Sequence, residues 1–375
     1  MGFYLPDRGE AYKQHLNLSD SAWLVVEDDI NVFGNGARHN LSGFLNQVIL
    51  FFHHDADASI GERVENRREE LRAVFSSKEF KKTDPAVTEK YINALISAYK
   101  KELIEKVRSY PKGMGRKFYL REDVKEALSD SEESEYYENE SGLGLGVYLK
   151  ALLEEYASKP TFEREQIYFK SAVDKIKLAM AEKKKLKIAL IPRLDPGTNT
   201  SYTTKCYFSP YKIVQDKTRS YNYLIGYSEI INEDGTTQKP VAASLRLSRI
   251  GLDRVSVMSS KTKYLNAEER NELEEMLREK DVQFLVGDVQ TFKVRFTEKG
   301  LESFNRLLYL RPRTYEEVPD EPLTYRFRCT EMQLISYFFK FGRDAEILDP
   351  AETREKFIRK YRESYRLYCP VEEAN

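Results

Sequence analysis

The side chains of this chain that are best suited to chemistry are tyrosines and arginines on predicted β-strands. Tyr221, Tyr223 and Tyr227 occupy alternate positions of "YNYLIGYSE", and this spacing places them on one face of a strand. Arg246 and Arg249 follow downstream in "SLRLSRI". Aromatic rings stack on nucleobases, at about 1–3 kcal/mol per base, and arginine both stacks and pairs with phosphate. These residues suit a site for single-stranded nucleic acid, although most tyrosines on strands serve ordinary cross-strand packing, which residue types alone favour.

The remaining polar residues do not indicate catalytic machinery. Every histidine falls near the start of the chain, and none accompanies a cysteine or aspartate in a nucleophile arrangement. The histidines are His15, His39, His53 and His54. "HHDAD" brings His53, His54 and Asp57 together, but such a cluster at the end of a helix favours capping and solvation over metal binding. We therefore expect neither an enzyme nor a metal or cofactor site.

The composition limits the kinds of partner. The chain has 375 residues with 60 basic and 61 acidic side chains and a net charge of −1, so a polyanion must bind at a local basic patch. Its three cysteines, Cys206, Cys329 and Cys369, have neither metal-type spacing nor the pattern of a disulfide framework. No run approaches the roughly 18 apolar residues that cross a bilayer. These features favour a cytoplasmic protein without a membrane partner.

The first segment has a compact order of predicted elements. A strand from Lys13 to Leu18 is followed by Ser19 as an N-cap, a helix, the turn "GNG" and a second helix. This order resembles the ribbon-helix-helix family. The resemblance implies that two chains pair their strands and that Lys13, His15 and Asn17 contact a DNA major groove. A helical hairpin used only for dimerisation is the alternative.

The spacing of hydrophobic residues divides the whole chain into four predicted domains. We predict a ribbon-helix-helix domain at 10–75, a helical linker region at 76–160, a strand-rich domain at 161–260 and an α+β domain at 261–375. In the last domain, "TFKVRFT", "YRFRCT" and "AEIL" alternate with helices in a β-α-β-α-β order of ferredoxin-like type. The predicted fold class is a multidomain α+β protein.

The segments "YFSPYKIVQDKTRSYNYLIGYSE", "SLRLSRI" and "YRFRCTEMQLISYFFKFGRDAEILDP" together resemble a WYL-domain protein with its C-terminal extension. The resemblance implies an Sm-like small β-barrel that binds nucleic acids or nucleotide-like ligands. The ligand positions that it implies are Ser209, Tyr223, Arg246 and Arg249. The tripeptide that names the family is here Asn222-Tyr223-Leu224, so asparagine replaces a packing tryptophan.

Arg246 and Arg249 differ by an odd number of positions, so in a continuous strand they would point to opposite faces. We therefore expect a bend near Ser248. A ribbon-helix-helix domain joined to a WYL domain resembles the accessory proteins of type VI-D CRISPR systems. That resemblance implies a protein that binds single-stranded RNA and raises the activity of an RNA-targeting CRISPR effector nuclease. We expect a homodimer with two symmetric surfaces, the ribbon and the C-terminal dimerisation domain at 261–375. A ligand-responsive transcriptional regulator that binds DNA through the ribbon is the alternative.

Overall fold

The computed structural model describes most of the chain and divides it into two compact units. The described residues are 12–34, 40–77, 84–129, 145–191, 193–194, 201–216, 220–259 and 264–369. The first unit comprises Met1–Lys175 with Leu247–Arg254, and the second comprises Ile176–Arg246 with Val255–Asn375. Helices and several sheets occur together, so the predicted mixed α+β class is confirmed. None of the described helices is both long and apolar enough to cross a membrane.

The first unit begins with a strand and two helices. They are β1 (Tyr12–Leu16), α1 (Asp20–Phe33) and α2 (Leu41–Phe75). The N-cap predicted at Ser19 is confirmed, because its hydroxyl accepts a hydrogen bond from the backbone N–H of Ala22 at 3.2 Å. Asn40 caps α2 in the same way, through the N–H of Gly43 at 2.9 Å. Local side-chain chemistry therefore sets the start of both helices.

A second strand and two helices repeat this order later in the same unit. The elements are α3 (Pro85–Ser109), β2 (Arg116–Leu120), α4 (Glu122–Ser129) and α5 (Leu145–Ser158). β2, α4 and α5 form the repeat, and β1 pairs with β2 in antiparallel register, with Tyr12 opposite Leu120. The structure thus corrects the expectation that two chains pair their strands. The partner of β1 comes from the stretch of the same chain that was predicted as a helical linker, at 76–160.

A buried ion pair supports the helices behind the ribbon. The Nε of Arg164, in α6 (Thr161–Tyr168), donates to the Oδ2 of Asp29 in α1 at 2.7 Å. The phenol of Tyr156 donates to the same oxygen at 2.8 Å. Burial raises the pKa of the Asp29 carboxyl, and the Arg164 and Tyr156 hydrogen bonds oppose that rise. After α6, the chain continues into α7 (Lys170–Ala181).

The second unit opens with a five-stranded antiparallel sheet and a separate two-stranded ladder. The strands are β3 (Leu186–Ala189), β4 (Arg193–Leu194), β5 (Ser201–Tyr202), β6 (Lys205–Gln215), β7 (Asn222–Ile230), β8 (Val241–Arg246) and β9 (Val255–Val257). The large sheet has the order β8-β7-β6-β3-β9, and β4 pairs with β5. No ladder within the described ranges joins the edge strands β8 and β9. Closure into an Sm-like barrel therefore stays a prediction.

Both faces of β7 are buried over much of its length. Leu224 and Ile225, on opposite faces, are fully inaccessible to solvent. Ile225 packs in a cluster with Leu273, which lies in α9 (Ala267–Glu279). Asn222, the position of the replaced tryptophan, is also fully buried. Both faces of β7 therefore pack against other parts of the protein, one of them against α9, and only part of the strand reaches solvent.

The C-terminal domain of this unit has a four-stranded sheet with the order β11-β12-β10-β13. Its elements are β10 (Val289–Phe296), α10 (Glu298–Arg306), β11 (Thr314–Glu317), β12 (Thr324–Thr330), α11 (Glu331–Phe338), β13 (Ala345–Asp349) and α12 (Ala351–Tyr368). The order β-α-β-β-α-β is that of a ferredoxin-like domain. The sequence analysis missed β11, whose four residues are all exposed. Phe292, Val294 and Phe327 are fully buried at the centre of the core.

Candidate nucleic-acid interface

Hydrogen bonds of Asp216, the residue after β6, fix the first tyrosine of the predicted site. The Oδ1 of Asp216 accepts hydrogen bonds from the backbone N–H groups of Ser220, at 2.7 Å, and Tyr221, at 3.4 Å. The N–H of Asp216 in turn donates to the carbonyl of Tyr221 at 3.0 Å. Aspartate suits this position because its short side chain can bond to the backbone a few residues on. These hydrogen bonds therefore hold Tyr221 just before β7.

Arg246 lies beside this tyrosine at the end of β8. The register of β7 and β8 places Arg246 directly opposite Tyr223. The guanidinium carbon of Arg246 lies 3.2 Å from the centre of the Tyr221 ring, which is a close cation–π contact. All three side chains are partly buried. The structure thus brings together Tyr221, Tyr223 and Arg246 of the predicted residues.

Tyr309 adds a third ring from the C-terminal domain. Burial raises the pKa of its phenol, the charges of Tyr221 and Asp216 raise it further, and Arg246 opposes the rise. The phenol therefore lies within electrostatic range of these groups. Its side chain is still 49% exposed, and Leu310 beside it has a left-handed φ of 63°, which costs on the order of 1 kcal/mol in a non-glycine residue.

The cluster of Tyr221, Tyr223, Arg246, Tyr309 and Asp216, here called the hairpin-end cluster, combines three kinds of contact. The rings can stack on bases, the guanidinium can donate to phosphate or to base edges, and the Asp216 carboxylate can accept. The Oδ2 of Asp216 is buried, and no donor in the described part of the chain reaches it. The sequence does not indicate Tyr309, because this residue is far from Arg246 in sequence and lies in an irregular segment without hydrophobic periodicity.

Two of the predicted positions lie away from this cluster. Ser209 is buried and lies opposite Tyr227 in the pairing of β6 with β7. Tyr227 is four residues from Tyr223 along β7, which separates Ser209 from Tyr223 by about 13 Å at the usual rise of a strand. Gly226 allows this close packing, because a Cβ there would lie within 2.1 Å of the Ser209 carbonyl oxygen. The resemblance implied a shared ligand site for Ser209 and Tyr223, which the structure does not assemble.

The structure corrects the prediction for Tyr227. Its side chain is only 8% exposed and packs with Ile225 and Leu273 beneath α9. Its phenol donates a hydrogen bond to Glu272, and burial together with that carboxylate raises the pKa of the phenol. Tyr223 and Tyr227 lie on the same face of β7, and both pack against the cluster that includes Leu273 of α9, but only Tyr227 is buried there. Tyr227 is therefore a core residue and is not available for stacking.

Arg249 lies beyond the end of the sheet. β8 ends at Arg246, and the chain turns at once into α8 (Leu247–Ile250), so the bend expected near Ser248 is present. Residues Leu247–Arg254 group with the first unit. The structure therefore places Arg249 and Arg246 in different units.

The ribbon formed by β1 and β2 in the first unit presents a basic face of its own. Lys13 and His15 are exposed, and Asn17, just beyond β1, is half-buried. The partner strand adds Lys117 opposite His15 and Tyr119 opposite Lys13. Tyr119 is 51% exposed, and the Nζ of Lys13 lies 5.5 Å from the centre of its ring. Sequence reasoning missed these two residues, although "RKFYL" alternates as β1 does.

Gly115 lets the end of the ribbon close tightly. A Cβ at this position would lie 2.4 Å from both the Oδ1 of Asn17 and the Nε2 of His15. The side chains of these two predicted contact residues therefore pack against the backbone of Gly115, the residue just before β2. Among the described residues, no group of three or more His, Cys, Asp or Glu side chains could hold a metal ion.

Comparisons with known proteins bear on both the C-terminal domain and the whole chain. Residues 288–364 match the family model described as the WCX domain. A solved structure described as a CRISPR Cas-related protein has a TM-score of 0.68 and 24% identity, covering 99% of this chain and 98% of that chain. No curated protein matches the chain.

A second solved structure, proteasome accessory factor B/C (PafBC) of Arthrobacter aurescens, has a TM-score of 0.21 and 17% identity. It covers 51% of this chain and 26% of that chain, and a TM-score this low supports no conclusion about fold. Residues 288–364 are thus similar to WCX domains, and over nearly its whole length the chain shares the fold of the CRISPR Cas-related protein.

Proposed function

We propose that the protein is a non-enzymatic accessory that binds single-stranded RNA and raises the activity of an RNA-targeting CRISPR effector nuclease. Three findings support this function. The WCX match falls where the WYL resemblance implies the C-terminal extension. The fold is shared with a protein described as CRISPR Cas-related. The sequence also resembles the accessory proteins of type VI-D systems.

The observation that carries the proposal is the Arg246 guanidinium held on the Tyr221 ring opposite Tyr223. A guanidinium fixed in this way donates to a phosphate or base edge without first losing rotamer freedom, since its position is already set. Tyr221, Tyr223 and the half-exposed Tyr309 offer rings to unpaired bases, which are accessible only in single strands. Closure of the sheet into an Sm-like barrel belongs to the same proposal.

The proposed assembly is a homodimer. Because β1 finds its partner strand within its own chain, a dimer would use another surface, and the C-terminal domain is the one we propose. Two chains would then present two hairpin-end clusters to one RNA strand, so avidity would raise the affinity for long RNA.

The test is a titration of fluorescently labelled single-stranded RNA with the wild type and with Arg246→Gln. We expect the variant to weaken binding by about tenfold, which corresponds to the loss of one charge-assisted contact of roughly 1.4 kcal/mol. Arg306→Gln is the matched control, because it removes the same charge from an exposed site on α10 whose side chain is 77% accessible. Equal affinities for wild type and Arg246→Gln would refute the site.

The proposed role as an activator needs a second measurement. RNA cleavage by the effector nuclease is followed with no addition, with the wild type and with Arg246→Gln. We expect the wild type to raise the cleavage rate and the variant to raise it less. A rate that the wild type leaves unchanged would contradict the accessory role, whatever the RNA affinity.

A second candidate function is a ligand-responsive DNA-binding regulator that acts through the ribbon. The observation that favours it is that one chain completes a two-stranded ribbon with Lys13, His15, Lys117 and Tyr119 on its exposed face. Such ribbons fit the major groove. This function predicts that duplex DNA binds more tightly than single-stranded RNA at two salt concentrations, and that Lys13→Gln with Lys117→Gln abolishes the difference.

A further inference from the structure

The last helix continues beyond the core that its first half helps to build. Phe357 of α12 is buried, and the phenol of Tyr361, one turn later, donates to the carbonyl of Phe339 at 3.0 Å. The stripe then continues at helical spacing to Tyr365 and Tyr368, whose side chains are 66% and 86% exposed. The outer end of α12, residues 362–368, therefore presents aromatic rings to solvent.

A stripe of arginines runs beside these rings. Arg359, Arg362 and Arg366 are spaced by three and four residues, so they share one face of the helix, and all three are exposed. They span about 10 Å along the axis at 1.5 Å per residue. None of them forms an ion pair with any described residue.

Cations nearer the start of α12 behave differently. Arg354 pairs with Glu346 at 2.8 Å, and Lys356 pairs with Glu331 at 2.9 Å. The arginines that pair with no described residue thus lie in the second half of α12. The helix dipole accounts for a cation only in the last turn, which holds Arg366 alone. A basic stripe longer than one turn, in a chain whose net charge is −1, points to an anionic partner.

We propose that the outer end of α12 is a second contact for single-stranded RNA. Arg362 and Arg366, together with Arg359 just before this end, would bind successive phosphates, and Tyr365 and Tyr368 would stack on bases of the same strand. This inference rests on the proposed RNA-binding function and adds a surface outside the hairpin-end cluster. A strand that touches both places is held by two sets of contacts, so affinity depends on its length.

The charge of the outer end of α12 favours RNA, and not a second copy of this chain, as the partner that binds there. Exposed aromatic rings alone would suit helix pairing between two copies. Pairing of this helix with itself, however, would bring together two stripes of three arginines each, none of which pairs with a described residue, and such like charges repel. A polyanion neutralises the same arginines and covers the same rings.

The test compares Arg362→Gln with Arg366→Gln, combined in one chain, against the control Arg67→Gln with Arg72→Gln. The control removes two charges from exposed positions of α2, where both arginines already pair with glutamates. Binding is measured with single-stranded RNA of about 30 nucleotides and of about 5 nucleotides, near the lower end of site sizes for one domain. Each is titrated at several salt concentrations.

We expect the α12 variant to bind the long RNA about tenfold more weakly than the control. Its salt slope should fall by about 1.4, since each lost phosphate contact on a single strand contributes about 0.7. Tyr365→Ser with Tyr368→Ser should weaken binding of the long RNA several-fold and leave the salt slope unchanged. The short RNA should bind all of these variants equally.

Identical affinity and salt slope for the α12 variant and the control would overturn the inference. Arg246→Gln, measured beside them, shows whether the proposed function itself survives that result. A change in oligomeric state on sedimentation, with RNA affinity unchanged, would also overturn the inference and identify the helix end as an interface between copies. Absence of RNA binding by the wild type would refute the proposed function and this inference together.

Discussion

The ribbon of the first unit and the hairpin-end cluster of the second both place a tyrosine beside a cation, yet they hold that cation differently. On the ribbon, the Nζ of Lys13 lies 5.5 Å from the Tyr119 ring centre, and both side chains are exposed. In the cluster, the Arg246 guanidinium lies 3.2 Å from the Tyr221 ring centre, and both are partly buried. Cation–π contacts are worth about 0.5–1 kcal/mol when exposed and about 2 kcal/mol when desolvated.

The difference concerns preorganisation. Lys13 keeps a flexible stem and must lose rotamer freedom when it binds a partner, at roughly 0.5–1.5 kcal/mol per side chain. Arg246 has already lost that freedom on folding, because Tyr221 holds its planar group. The ribbon is therefore suited to adaptable contact with a charged backbone, and the cluster is suited to defined contact with a base and its phosphate.

The largest effect should come from the support of the ribbon. Arg164→Met leaves the carboxylate of Asp29 buried without its partner, and we expect a loss of about 3–5 kcal/mol in the free energy of unfolding of the first unit. The chain's one tryptophan, Trp23, is buried in that unit, so its fluorescence during urea unfolding reports this change.

Arg63→Met is the matched control for that measurement. It breaks an exposed pair with Glu155 at 2.8 Å, which should cost less than about 1 kcal/mol. Because the hairpin-end cluster belongs to the other unit, the affinity of Arg164→Met for single-stranded RNA should equal that of the wild type below the unfolding transition. Parallel loss of stability and RNA affinity would contradict the separation of the two faces.

The second effect concerns the two tyrosines themselves. Tyr221→Ser removes both a stacking ring and the platform of Arg246, so we expect an affinity for single-stranded RNA about tenfold lower. Tyr119→Ser removes an exposed ring without disturbing a fixed cation, and its effect should stay below about threefold. Fluorescence anisotropy with the same RNA measures both. Equal effects would show that preorganisation does not distinguish the two faces.

Local patterns predicted much of this architecture. The Ser19 cap depends on residues only three apart, and the two faces of β7 follow from alternation. Pairing of β1 with β2 is a contact between distant segments, and the five residues of β2 carry too little pattern to identify their partner. The second strand-helix-helix repeat was therefore assigned to a helical linker.

Non-local burial also decides which of the predicted site residues reach solvent. Tyr223 and Tyr227 lie on the same face of β7, but Tyr227 is buried and Tyr223 only partly so, and nothing within β7 indicates how α9 packs against that face. Tyr309 reaches the hairpin-end cluster from an irregular segment of another domain, where no periodic signal exists. The chemistry of the site was thus readable from residue types, while its membership depended on tertiary structure.

A third effect, of intermediate size, is the pH dependence of the first unit. Burial, together with the charge of His54, lowers the pKa of the His53 imidazole below its usual 6.5, and its Nδ1 lies 3.0 Å from the carbonyl of Leu50. The neighbouring Asp55 pairs with Lys170 at 3.0 Å. Because the folded state binds this proton less well than the unfolded state, the stability is fully present above pH 6.5 and is lost as the pH falls below it.

The free energy of unfolding, followed through Trp23 at pH 7.5 and pH 5.5, checks this sign. The wild type should lose stability at the lower pH, by up to about 1.4 kcal/mol for each unit by which the pKa is lowered. His53→Gln should lose less between the same two pH values. An equal loss in both proteins would assign the pH dependence to other groups.

The smallest effect should come from Tyr227→Phe, which separates a core tyrosine from a binding one. The change removes only the hydrogen bond to Glu272, an exposed side chain, so the second unit should lose about 0.5–1.5 kcal/mol of stability. The ring stays packed beneath α9, and the affinity for single-stranded RNA should therefore be unchanged.

Tyr223→Phe, the matched change on the same face of β7, keeps a ring that stacks, so it too should bind RNA normally, whereas Tyr223→Ser should bind several-fold more weakly. If Tyr227→Phe weakened RNA binding as much as Tyr223→Ser, α9 would have to leave β7 during binding, and the contrast between a fixed cluster and an adaptable ribbon would fail.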